Sequence, residues 1–104
     1  MKLVLGALTV QGDLPRDEVT KVIELHENDL LACYAPALQR APNLAGTIVV
    51  QFFISPEGNV MGTQSAGLDK SVSDCVTTVV SALVFPKPTG GGGATVVYPL
   101  TFRS

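Results

Sequence analysis

A chain of 104 residues, 46% apolar and 15% charged, can bury one hydrophobic core and is too short for two. Its formal net charge of −2 offers no electrostatic footprint for a phosphate backbone, which argues against a nucleic-acid partner. One histidine, no tryptophan and two cysteines exclude most metal centres and catalytic triads by count, so no cofactor or metal is expected.

No apolar run approaches the ~18 residues of a membrane span, and Met1–Leu5 lacks the long apolar region and cleavage site of a signal peptide. Lys2 to Gln11, rich in Leu, Val and Thr, reads as a strand that stops at Gly12-Asp13. Leu14-Pro15-Arg16-Asp17-Glu18 opens a helix, because proline is tolerated in the first turn and the two carboxylates suit its positive end. Val19, Val22, Ile23, His26, Leu30, Cys33 and Ala37 then recur at intervals of three and four, the apolar face of one amphipathic helix. Pro36 is expected to kink or end it. Ala41–Gly46 is a connection.

Thr47–Ile54 is β-branched and aromatic, with Ile48, Val50, Phe52 and Ile54 on one face. Ser55-Pro56-Glu57-Gly58-Asn59 is a turn, and Val60–Ala66 is the returning strand of an antiparallel hairpin. Asp69 or Ser71 caps a second helix whose stripe is Val72, Cys75, Val76, Val79 and Leu83, closed by Val84-Phe85-Pro86. Pro88–Gly93 is a connector. Thr95–Phe102 is the last strand, with Val96, Tyr98, Leu100 and Phe102 on one face. The order β-α-β-β-α-β predicts an α+β domain spanning 1–104, two helices on one face of a small, mostly antiparallel sheet.

Few residues are placed to do chemistry. Cys33 and Cys75 lie on the stripes of different helices, too far apart in sequence for a CxxC motif. Helix placement leaves two readings open, a disulfide or two buried thiols. His26 has no serine or cysteine set beside it by any motif, so it reads as a boundary histidine bonded to backbone or carboxylate. The glycine run lacks the Lys-Ser/Thr of a P-loop and precedes a strand. The element order is shared with small ferredoxin-like hydrolases such as acylphosphatases, but no phosphate cradle holding an arginine is recognisable around Gly12–Arg16. A small hydrolase is thus the rival to a binding domain, and a structural dimerisation domain is a third reading.

Tyr34 after Cys33, the stretch Ala37–Gly46 leading into Thr47–Ile54, Ser55-Pro56-Glu57-Gly58-Asn59-Val60, Asp74-Cys75-Val76, Phe85-Pro86 and Val97–Phe102 form an ordered set. This set resembles the C-terminal domain of the AgmX/PglI type, a TonB-C-terminal-like domain of myxobacterial gliding-motility proteins. It covers about Leu14 to Phe102, and is more distantly similar to the energy-transducing protein TonB. The resemblance implies a periplasmic domain at the end of an inner-membrane-anchored protein of a Gram-negative cell, with Met1 an initiator on an excised fragment. It implies a structural pair for Cys33 and Cys75, and a protein-interaction role in motility or force transduction with periplasmic or outer-membrane partners. It also points to the last strand as the place where a partner peptide adds, centred on Thr95, Val96, Val97 and Tyr98. Pro99 lacks an N–H and so fits an edge strand. Lys2–Val10 has no counterpart in the TonB core, and pairing of that segment along the last strand would close the edge.

Overall fold

The computed structural model describes residues 1–104. Its elements are β1 (Lys2–Leu5), β2 (Thr9–Gly12), α1 (Arg16–Leu25), α2 (Glu27–Arg40), β3 (Gly46–Ile54), β4 (Val60–Ala66), α3 (Lys70–Ser81) and β5 (Ala94–Arg103), with a 3-10 turn at Thr89–Gly91. The fold is α+β. The five strands form one sheet in which β1 and β2 lie end to end along β5, followed by β3 and then β4. Every pairing is antiparallel.

Strand alternation decides where the core sits. Ile48, Val50, Phe52 and Ile54 on β3, and Val96, Tyr98, Leu100 and Phe102 on β5, are all buried on the same face. Against them pack Val19 and Ile23 of α1, Leu30, Tyr34 and Ala37 of α2, and Val72, Val76 and Val80 of α3. Each such side chain contributes about 1.5–3 kcal/mol by leaving water, before chain entropy is set against it. The rings of Tyr34 and Phe102 meet at 5.2 Å, and those of Phe52 and Phe85 at 5.6 Å. The Tyr34 hydroxyl donates to the Leu44 carbonyl, which satisfies the one polar atom that ring carries into the core. On α3 the β-branched run is no obstacle, since Val72, Val76 and Val80 recur every four residues and all face the sheet.

The expected single helix over 15–37 is two helices. His26 stands between them at φ −110°, ψ 18°, its N–H closing on Ile23 O at 3.0 Å. The three-four spacing runs through this one-residue break, so periodicity alone does not reveal it. Pro36 neither ends nor breaks the second piece, which continues to Arg40. The hydrogen bond it cannot make belongs to the Ala32 carbonyl, and both residues lie on the solvent side, where water can serve that oxygen.

The N-terminal strand also comes in two pieces, and Pro99 supplies the reason. β1 pairs with Leu100–Arg103 and β2 with Ala94–Val97, so the interruption at Gly6–Leu8 falls opposite Tyr98-Pro99. There Gly6 N donates to Pro99 O at 2.9 Å, and a Cβ on Gly6 would stand 2.8 Å from Pro99 Cγ. The missing N–H of proline favours an edge strand, but here Pro99 lies in an interior strand and faces the interruption between β1 and β2.

Candidate functional site

Three features carry chemistry or binding potential: the seam between α2 and α3, the sheet edges, and the outer sheet face. α2 and α3 run antiparallel. At one end Arg40 Nη2 donates to Ser71 Oγ at 3.0 Å and lies 4.0 Å from Asp69 Oδ1. Asp69 caps α3, accepting from Ser71 N at 2.9 Å and Val72 N at 3.3 Å. Hydrogen bonds from the Ser71 hydroxyl, then from the Val72 amide, hold the Asp69 carboxyl below its ordinary 3.8, with a smaller contribution from Arg40. Cys33 and Cys75 are joined midway along the seam, with Cα atoms 5.5 Å apart. Neither cysteine remains free.

Beyond the disulfide the seam opens into a groove of about 420 Å³ lined by His26, Asp29, Ala32, Thr78, Val79, Ala82 and Leu83. His26 Nδ1 and Asp29 Oδ2 are 3.1 Å apart, with the imidazole 40% exposed. The expected bond from a boundary histidine to a nearby carboxylate is therefore present. An oriented imidazole can move a proton, but acyl or phosphoryl transfer also needs a nucleophile within reach. Thr78, the hydroxyl on the groove wall, donates to the Asp74 carbonyl at 3.2 Å, and both cysteine sulfurs are consumed by each other. No three His, Cys, Asp or Glu side chains converge on a point that could hold a metal ion.

The partner-binding expectation at Thr95, Val96, Val97 and Tyr98 needs correction. β5 is an interior strand, paired with β2 along Ala94–Val97 on one side and with β3 along its length on the other. The Lys2–Val10 segment occupies the edge that a partner strand would have used. Tyr98 cannot supply a side-chain contact either. Its ring is 1% exposed on the helix-covered face, and its hydroxyl lies 3.4 Å from Thr20 Oγ1.

The residues that sequence reasoning passed over lie on the opposite face of the sheet, which no helix covers. Val49, Phe53 and Met61 are 43%, 37% and 56% exposed there. Phe53 pairs with Met61 on one side and Thr95 on the other, and Val49 pairs with Ala66 and Pro99. The Phe53 ring lies over Gly93, where any side chain would collide with it. A signal was present: Val49 and Phe53 fall on the off-beat of the Ile48–Ile54 alternation, where a solvated face calls for polar residues. The chain matches no family model, no curated protein and no solved structure.

Proposed function

We propose that this chain is a non-catalytic protein-interaction domain of an oxidising compartment. In the fullest form of this reading it is the periplasmic end of an inner-membrane-anchored machine of the TonB-like or gliding-motility kind, with periplasmic or outer-membrane proteins as partners. The observation that carries the proposal is the uncovered sheet face, where Val49, Phe53 and Met61 stand in water within an uncharged surround of Gln51, Gln64, Thr95 and Ala66. Apolar side chains gathered on one face mark a binding surface more often than scattered ones do. The disulfide supports an oxidising compartment, because cytosolic thiol pools keep such pairs reduced. The ordered motif set from Leu14 to Phe102 supports the envelope setting.

A photo-reactive residue at Phe53, introduced into the protein in its native cells, tests the reading. Cross-links to envelope proteins are expected from Phe53 and not from Thr78 in the groove across the molecule. Cross-links from Thr78 alone would overturn it, as would purified protein with a turnover that disappears in His26→Ala.

A further inference from the structure

We propose that two copies of this chain pair through β4, edge to edge and antiparallel, about a two-fold axis beside Gln64. Of the two lateral boundaries of the sheet, the β1/β2 side is interrupted at Gly6–Leu8 and carries Lys2, features that discourage further pairing. β4 is Val60-Met-Gly-Thr-Gln-Ser-Ala66, with no charge and no proline. Nothing in that strand repels a second copy of itself.

Parity along the ladders shows which backbone groups are free. Pro99 O accepts from Gly6 N, so Pro99 turns its polar groups away from β3. Its β3 neighbour Val49 must then turn toward β4, where it pairs with Ala66. By alternation Gln64 faces β3, while the N–H and C=O of Ser65 point outward, as does the C=O of Thr63, the residue at which the register shift begins. None of the backbone hydrogen bonds outside the ladders uses either residue. Gly62, at φ +62°, and the register shift between Gln51 and Phe53 mark a bulge that ends the regular edge on that side.

These limits select one register. Thr63 of one copy lies opposite Ser65 of the other, and the reverse, so the outward Ser65 N–H of each copy meets the Thr63 C=O of the other. Gln64 meets its own copy at the close, non-hydrogen-bonded position, where two side-chain amides can each donate and accept. The charges beside this edge do not oppose the approach, since Lys70 and Asp74 on α3 are already paired at 2.8 Å. The same surface patch serves both copies, as a two-fold interface requires.

Sedimentation equilibrium over a concentration series tests the pairing. The wild-type chain should rise from 10.9 kDa toward twice that mass. Gln64→Lys and Gln64→Glu should each remain at the single-chain mass, because like charges face each other across the axis. An equal mixture of the two should recover the doubled mass. Gln64 is exposed, and unchanged melting curves for both variants establish that the fold is retained. A wild-type chain that stays at 10.9 kDa throughout overturns the proposal, even if β4 then proves to take a foreign strand. So do charged variants that associate as the wild type does, or a mixture that stays at the single-chain mass. Failure here leaves the cross-linking result at Phe53 unaffected, so the two readings are judged separately.

Discussion

Removing the link between Cys33 and Cys75 should lower stability by an amount the structure makes calculable. The two residues are 42 positions apart. For a loop of that length, the chain-entropy relation gives about 4 kcal/mol of stabilisation at room temperature. Unfolding entropy of about 2.1 cal/mol/K per residue converts this, for a chain of 104 residues, into a fall of about 18 °C in the thermal midpoint. The estimate requires that the folded state survive with little change. That condition is met because α2 and α3 are also held by the Arg40–Ser71 bond and by burial of Leu30, Tyr34, Val76 and Val80 against the sheet. Calorimetry on the oxidised protein, the reduced protein and the Cys33→Ala/Cys75→Ala double variant measures the shift. The denaturant slope should steepen in both linkless forms, since a longer free chain exposes more surface on unfolding. A midpoint lowered by less than about 5 °C, with an unchanged slope, would refute the loop-closure reasoning.

Gly6→Val should destabilise the protein by about 1–3 kcal/mol in denaturant titration, as overpacking does. The added Cβ would sit 2.8 Å from Pro99 Cγ, and an unchanged midpoint would show that the strand break does not exist to accommodate the proline. Asp69→Asn should flatten the acid limb of the stability profile. The folded Asp69 carboxyl titrates below its ordinary 3.8, so its stabilising contribution is full above that value and is lost as pH falls through the lower, folded value. Wild type should therefore lose thermal stability more steeply than Asp69→Asn below pH 3.8, and superimposable profiles would contradict the cap assignment.

Local rules carried much of the fold. The Thr47–Ile54 alternation, the Pro-Glu-Gly turn and the Asp69 cap each follow from short-range chemistry, and each falls where the sequence places it. What escaped was anything set by a distant neighbour. The break at His26 has no glycine or proline to announce it, and the spacing of Val19, Ile23, Leu30 and Tyr34 stays in phase across it. Pro36 reads as a helix terminator only until the solvent exposure of Ala32 is known. Pro99 argues for an edge strand by its own chemistry, and only the Gly6–Leu8 interruption in another strand makes an interior position tolerable. The site suffered for the same reason, because Thr95–Tyr98 offers a binding edge only if Lys2–Val10 goes elsewhere. The Cys33–Cys75 pairing was open from helix placement alone, since it depends on α2 and α3 lying antiparallel with those two positions opposed.

The state of the two cysteines in living cells tests most directly whether this is a disulfide-stapled interaction domain of an oxidising compartment. Cells producing the protein in its native setting are quenched in acid, denatured, and labelled with a thiol-reactive mass tag before and after reduction. The predicted result is no tag before reduction and two tags after it, reporting Cys33 and Cys75 joined where the protein works. Two tags before reduction, in protein taken from its own cells, would contradict the compartment and with it the envelope role.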